Sequence, residues 1–447
     1  MMRRAVTKRP FDPGPAAWNE ILGARQANPP LTEKTTADFC VIGAGFAGLS
    51  AARRLRQIHS GAKIVVLEAR QIAEGPAGRN SGFMIDLPHH LASKDYAGAV
   101  ERDIKATTMN REAIAFAKEA MADYDMPSDA LREDGKINAA ASDKGHHHNL
   151  DYAKHLARMN EVHEVLDAKQ MSEISGSTYY KSGLFTPGTV MLQPALYMRS
   201  LADGLKRDGV ELFEKSPVTA LTRNGMTWSV ETPDGAVEAD KVILSVNGHA
   251  ESFGYFERRL MHIYLYASMT RPLTDEEKVK LGGRARWGFT PADPLGTTVR
   301  KIVSPQGTRI VVRNRFTWAP GRTVSESKLA AMARVHDRSF RKRFPGLKNV
   351  AMEYRWGGLL CLSRNGSNAF GEVDENLFSA CCQNGLGTAM GTLSGKLAAD
   401  LACGSFSPSL QTMLHQPDPQ MLPPEPFASI GANAFMRWGE IKAGAEL

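Results

Sequence analysis

Apolar residues recur along this chain at two periods, and the alternation between them predicts its elements. Phe39-Cys40-Val41-Ile42 is an unbroken apolar run that predicts a buried strand. Residues 47–58 carry apolar positions at helical spacing, and 63–67 predict a second strand closed by Glu68. Helical spacing returns at 94–124 (Ile104, Met109, Ile114, Phe116, Ala117, Met121), 150–166, 194–207 and 325–344. Strand patterns occupy 184–185, 190–192, 210–213 and 217–221, while 227–232 and 236–239 flank Pro233-Asp234-Gly235 as a hairpin. Residues 241–246 read as a buried strand returning to the first sheet. Residues 262–269 and 309–313 suit an antiparallel sheet covered by the helix at 325–344. Strands at 356–360 and 377–382 follow, the second running through Gln383-Asn384-Gly385-Leu386-Gly387-Thr388 into a helix that ends near 401. Residues 1–36 hold five prolines and no sustained period, which predicts a surface arm with a short helix around 18–24.

The first strand, helix and second strand enclose Gly43-Ala44-Gly45-Phe46-Ala47-Gly48, the dinucleotide-binding fingerprint in its full context. Gly43 permits a tight turn, Gly45 lets the backbone approach a pyrophosphate, and Gly48 lets helix and sheet pack closely. The unpaired N–H groups of the helix N-terminus then receive the phosphates. Glu68 stands 68 − 43 = 25 residues after Gly43, where a carboxylate accepts hydrogen bonds from ribose hydroxyls and repels a 2′-phosphate. FAD or NAD is therefore expected over NADP. A second glycine-rich loop, Gly78-Arg79-Asn80-Ser81-Gly82-Phe83, is too rich in glycine for helix or strand and can turn backbone N–H groups toward a ligand.

Composition narrows the class further. A length of 447 residues predicts two domains, and a hydrophobic content of 43% excludes a disordered chain. No apolar run of about eighteen residues occurs, so no membrane span is expected. The basic N-terminus lacks the apolar core of a signal peptide, and the five cysteines form no CxxC pair, so reduced thiols in a cytoplasmic protein are expected. The net charge of +7 suits an anionic substrate, an acidic surface or nucleic acid. Its densest cluster, 334–343, reads as the solvated face of a helix, so no nucleic-acid partner is expected. His146-His147-His148 reads as an exposed loop with no carboxylate or thiol spaced to complete a shell, and no metal site is predicted.

Three blocks resemble the FAD-dependent D-amino-acid-oxidase and glycine-oxidase superfamily, in particular its gamma-glutamylputrescine-oxidase-like branch: Val41 to Glu68, the loop Gly78 to Gly82 with Ser81 replacing a glycine, and Trp356-Gly357-Gly358 with Asn384 to Thr388. The resemblance implies a Rossmann-type α/β FAD domain split in sequence (37–110, 184–255, 356–405) and an antiparallel-sheet substrate domain (111–183, 256–355). An arm (1–36) and a tail (406–447) complete the chain. It implies non-covalent FAD held by Gly43, Gly45, Phe46, Ala47, Gly48, Glu68, Ala69 and Arg70. Arg79, Asn80, Ser81, Gly82 and Phe83 would pass beneath the ring system, Val218 would reach adenine, and Gly385, Leu386, Gly387 and Thr388 would approach the pyrimidine side. Cys361 lies near the region where sarcosine-oxidase relatives attach flavin covalently, but a buried structural cysteine is the expectation. The chain departs from the family at Ser363-Arg364-Asn365, which replaces a threonine-proline-aspartate type turn.

The implied reaction is oxidation of a C–N bond in an amine or amino acid derivative, by hydride transfer to flavin and hydrolysis of the imine. Dioxygen or an electron-acceptor protein would reoxidise the flavin. No catalytic acid or base is assigned, because positioning and electrostatics carry such a reaction. Candidates for the substrate pocket are Tyr264, Tyr266, Trp287, Arg313 and Asn384, with His89 and His90 as further possibilities. Arg313 would fix a substrate carboxylate. The rival expectations are a dehydrogenase on the same fold, an RNA-modifying flavoprotein, and a flavin-holding assembly factor without turnover.

Overall fold

The strand Lys34–Ile42 runs through the middle of the first sheet, hydrogen-bonded in parallel to Ala236–Leu244 on one side and to Ile64–Leu67 on the other. Cys40, Val41 and Ile42 are buried because both faces of this strand are covered, the usual condition of a parallel sheet. The computed structural model describes residues 2–88 and 97–447. From edge to edge the first sheet runs Met2–Ala5, Ala220–Asn224, Thr227–Glu231, Ala236–Leu244, Lys34–Ile42, Ile64–Leu67, Glu211–Phe213. Leu377–Cys381 also pairs with Ala236–Leu244 and carries Ala369–Asp374 at its side. Helices Phe46–Ile58 and Ala389–Ala402 pack together over this sheet. Their backbones cross so closely that a Cβ on Gly395 would lie 1.9 Å from the Ala47 carbonyl oxygen.

The second sheet has eight strands, in the order Met352–Leu362, Met261–Thr270, Gly307–Trp318, Thr298–Ser304, Trp287–Pro291, Lys136–Ala140, Ser182–Thr186, Glu164–Leu166. It is antiparallel except where Trp287–Pro291 runs parallel to Lys136–Ala140. Side chains alternate between its faces. Phe289, Val299, Ile310 and Val312 pack outward with Phe340 and Phe344 from the helix region at 326–344. Their neighbours Thr290, Thr298 and Arg313 therefore face inward, toward the glycine turn. A small sheet of Phe83–Met84, Val190–Leu192 and Leu131–Arg132 completes the set. The architecture is the mixed α/β arrangement expected.

Several local expectations are corrected. The N-terminal segment is no surface arm. Met2–Ala5 extends the first sheet, and Trp18 in the short helix Ala17–Glu20 and Ile21 just after it are buried because this segment supplies apolar side chains to the core. The helix expected at 150–166 is Asp143–Arg158, so the three histidines lie in its first turns and His148 is buried. Ser142 caps it by accepting from the Gly145 N–H at 3.0 Å, a cap not used in placing the helix start. Residues 164–166 form a strand instead. Arg343, placed on a solvated face, is buried and donates to the Glu446 carbonyl at 2.8 Å. Ser182–Thr186 and Met352–Leu362 belong to the second sheet, so the expected boundaries at 184 and 356 fall inside its strands.

Candidate functional site

The glycine turn is shaped by three contacts. Gly43 has a φ of 100°, in the region that favours glycine. A Cβ on Gly48 would lie 1.7 Å from the Gly43 carbonyl oxygen, so no larger residue fits between turn and helix. Gly45 caps helix Phe46–Ile58, and a Cβ there would meet only Ala77, 3.8 Å away, with the cavity beyond. The Glu68 carboxylate accepts from the Ala44 N–H at 2.9 Å and the Arg70 N–H at 3.0 Å, which ties the second strand to the turn. Burial pushes its pKa up. Each oxygen keeps a further lone pair for a ribose hydroxyl.

One cavity joins this turn to the second sheet. Of the residues assigned to FAD, Gly43, Gly45, Phe46, Ala47, Glu68, Ala69, Arg70, Arg79, Asn80, Ser81, Phe83, Val218, Gly385, Leu386, Gly387 and Thr388 line it. Gly48 and Gly82 support it from behind: Gly48 against Gly43, and Gly82 through its N–H to Asn80 Oδ1 at 2.8 Å. The two distant glycine loops meet, for Thr388 Oγ1 donates to the Phe83 carbonyl at 2.7 Å. A Cβ on Gly387 would meet no protein atom within 4 Å, so the loop's open side faces the cavity.

The loop after Gly78 is held by groups that local sequence did not reveal. Trp18 Nε1 donates to the Asn80 carbonyl at 2.8 Å, and Trp356 Nε1 to the Arg79 carbonyl at 2.9 Å. The Arg79 guanidinium turns away from the cavity mouth to the Pro13 and Gly357 carbonyls, each at 3.1 Å. From the second sheet, the buried Arg300 donates to the carbonyls of Ser81 (2.8 Å), Gly82 (3.1 Å) and Leu192 (2.9 Å). Burial lowers its pKa to about 9, an effect that Asp134 offsets only in part. The only trace of this role in sequence is an arginine within the strand Thr298–Ser304, on the face shared with Thr298.

The substrate candidates divide. Tyr266, Arg313 and Asn384 line the cavity, together with Thr290, Thr298 and Phe316, which the sequence reading missed. Arg313 donates to Thr298 Oγ1 at 3.3 Å and lies over Phe316. The Tyr266 hydroxyl is buried without a hydrogen-bond partner. Asn384 is fixed structurally, its amide donating to the Ser367 carbonyl at 2.9 Å and its oxygen accepting from the Ser363 N–H at 2.8 Å. Tyr264 and Trp287 lie outside the cavity. The Tyr264 hydroxyl is drawn to the Phe11 and Arg322 carbonyls, at 2.5 and 3.0 Å, and Trp287 stacks on Phe289 in the outward-facing core. His89 and His90 lie outside the described residues. Cys361 is buried away from the cavity, beside Cys382, and its thiol pKa is pushed up. Among the described residues no cluster of His, Cys, Asp or Glu is placed to hold a metal ion.

The donor set fits FAD. A helix N-terminus and open glycine backbone suit a diphosphate, Glu68 suits a ribose, and the paired loops at 79–83 and 384–388 leave room between them for a flat ring system. Comparison with known proteins agrees. The chain matches the family described as "DAO: FAD dependent oxidoreductase" over residues 38–401. A probable oxidoreductase, OrdL, of Haemophilus influenzae is 27% identical over 398 residues, covering 84% of this chain and 85% of the relative. The gamma-glutamylputrescine oxidoreductase of Escherichia coli is 26% identical over 381 residues, covering 84% and 85%. Among solved structures, glycine oxidase from Geobacillus kaustophilus superposes with a TM-score of 0.68 at 16% identity, covering 84% of this chain and 96% of that one. L-proline dehydrogenase from P. horikoshii gives 0.66 at 16% identity, covering 87% and 98%. At such identities the structures share the fold.

Proposed function

We infer that this chain, which belongs to the DAO family of FAD dependent oxidoreductases, oxidises the C–N bond of an amine or amino acid derivative that also carries an anionic group. The observation that carries this reading is the charge of the cavity wall. Among the described residues its charged lining is Lys8, Arg9, Arg70, Arg79 and Arg313 against Glu68 alone; the Arg79 guanidinium is taken up by the Pro13 and Gly357 carbonyls and Arg70 pairs with Asp12, so the roof cation on which the reading rests is Arg313. At the glycine-turn end the cations suit a diphosphate. At the roof, Arg313 presents a planar cation to a substrate carboxylate. His249, which also lines the cavity, is held neutral, burial lowering its pKa to about 3, so it adds no charge at neutral pH.

FAD, once bound, supplies the two-electron acceptor for the C–H bond beside nitrogen, and water hydrolyses the released imine. The chain's own residues position and solvate. Arg300 fixes the Ser81–Gly82 backbone, so the floor of the site is rigid. A wall of cations disfavours a second positive charge, so a bound amine sheds its proton to solvent and presents the lone pair that oxidation requires. Tyr266 and Thr290 line the cavity, the Thr290 hydroxyl donating to Asn138 Oδ1 at 2.7 Å and the Tyr266 hydroxyl neighbouring Thr317. The electron acceptor that completes the cycle is proposed to be dioxygen or another protein.

The test is anaerobic mixing of the FAD-loaded protein with amines and N-alkyl amino acids, each paired with its decarboxylated counterpart. Carboxylate-bearing members should bleach the visible flavin band at roughly ten- to hundred-fold lower concentration than their partners. Arg313→Leu should abolish that preference without loss of flavin. A panel in which nothing bleaches the band would overturn the reading. Return of colour on admitting air would identify dioxygen as the acceptor.

A further inference from the structure

Of fourteen large hydrophobic side chains exposed among the described residues, eight lie after residue 405, and five of those sit on helix Phe427–Ala443. Phe427, Ile430, Ala434, Trp438 and Ile441 follow one another at intervals of three, four, four and three residues. At about 100° per residue they form a single stripe, roughly 21 Å long. Each of its four large members is more than half exposed. The opposite side of the same helix is already occupied. Met436, Gly439 and Ala443 are buried, Trp318 Nε1 donates to Ser429 Oγ at 3.0 Å, and Arg315 pairs with Glu440 at 2.5 Å. The helix is thus apolar on both sides, and the protein covers one.

The charges on the helix indicate what covers the other. By the same rotation Arg437 and Lys442 stand on the two edges of the stripe. Lys442 Nζ lies 4.0 Å from the Trp438 ring, and the Arg437 side chain is 76% exposed. The helix's one carboxylate, Glu440, is turned inward, 2.5 Å from Arg315 and 3.9 Å from Arg437, and only 13% of its side chain is exposed, so the outer edge keeps its positive charge. An outward face of Phe, Ile and Trp flanked only by cations, on a chain of net charge +7, complements an anionic surface. A second copy suits it less. The stripe offers roughly 200 Å² of contact, where a stable dimer buries about 800 Å² per partner. Pairing would also bring Arg437 and Lys442 against cations of the same kind.

We propose that helix Phe427–Ala443 is an interfacial anchor that lies flat on an anionic lipid surface, with Ile430 and Trp438 among the acyl chains and Arg437 and Lys442 on the headgroup phosphates. The helix lies in the interface rather than across the bilayer, since no helix among the described residues is long and apolar enough to span one. None of its residues lines the FAD cavity, so the anchor does not rest on the proposed reaction.

The experiment is co-sedimentation of the FAD-loaded protein with vesicles of phosphatidylcholine alone or mixed with phosphatidylglycerol. Binding is expected to the mixed vesicles, with a blue shift of tryptophan emission, and to fall as salt is raised. Ile430→Ser with Trp438→Ser should weaken it about ten-fold or more, and Arg437→Gln with Lys442→Gln about ten-fold on the anionic vesicles only. Flavin content should stay unchanged in all variants, which separates this test from the FAD reading and reports that each variant is folded. Failure of the flavin-loaded protein to bind either vesicle would overturn the proposal. So would a solution dimer that dissociates on Ile430→Ser with Trp438→Ser, which would assign the stripe to a second copy.

Discussion

The glycine turn at 43–48 draws its shape and its carboxylate from one continuous stretch, residues 43 to 68. The roof of the same cavity draws Tyr266, Thr290, Thr298 and Arg313 from four different strands. At the turn, tight backbone geometry leaves almost no freedom, as the 1.7 Å between a Cβ on Gly48 and the Gly43 oxygen shows. At the roof the backbone is an ordinary pleated sheet, and function depends on which side chains the alternation turns inward. The turn should therefore fail by steric exclusion and lose the cofactor altogether, whereas single changes in the roof should be tolerated by the fold and act on specificity.

The largest expected effect tests the turn. Gly48→Val should destabilise the protein by about 4 kcal/mol or more, because its side chain meets backbone that cannot yield, and the purified variant should carry no flavin absorbance. Retention of full flavin by this variant would remove the contrast.

A smaller effect separates the second sheet from the first. His336 is buried beneath it, Nε2–H donating to the Asn314 carbonyl at 3.3 Å, so that Nδ1 accepts from Ser268 Oγ at 2.7 Å. Burial lowers its pKa from 6.5 to about 4. As pH falls below 6.5 the unfolded chain takes up a proton that the folded state refuses. The stability that neutral His336 contributes is thus complete above 6.5 and is lost as pH falls toward 4. By pH 4.5 about 2–3 kcal/mol should be gone. The fall in Tm between pH 7.5 and 4.5 should be shallower in His336→Gln than in the parent, and equal slopes would refute the assignment.

The smallest effect distinguishes two tyrosines two residues apart. Tyr264→Phe should cost about 1–2 kcal/mol, because buried carbonyls lose their donor, and should leave the amine concentration needed for half-maximal bleaching unchanged. Tyr266→Phe removes a hydroxyl without a partner in the protein. It should leave Tm nearly unchanged and alter kcat/KM for the amine by about ten-fold. The reverse pattern would place Tyr264 rather than Tyr266 beside the substrate.

The roof candidates from sequence fared unevenly for identifiable reasons. Trp287 and Phe289 share a parity that turns both outward, and no local pattern predicts the strand at 287–291, so its inward member Thr290 is not among the sequence candidates. The Tyr264 hydroxyl is captured by Phe11, from an N-terminal segment whose prolines gave no hint that it is buried. The strand carrying both tyrosines shifts register between Leu265 and Tyr266, which simple alternation does not anticipate. The histidine run reads locally as a loop, although Ser142 and the apolar positions after it permit the helix that forms.

Sequence alone determined the first βαβ unit, the dinucleotide class and the glycine loops at 79–83 and 385–388, because each depends on interactions among near neighbours in the chain: a φ only glycine favours, a helix N-terminus, a carboxylate one strand away. Tertiary structure decided that Arg300 clamps the loop at 81–82 from another sheet, that Arg313 rather than Trp287 faces the cavity, and that a tail helix keeps one apolar face uncovered. Those outcomes follow from strand order and parity, and no local pattern encodes which distant strand becomes a neighbour.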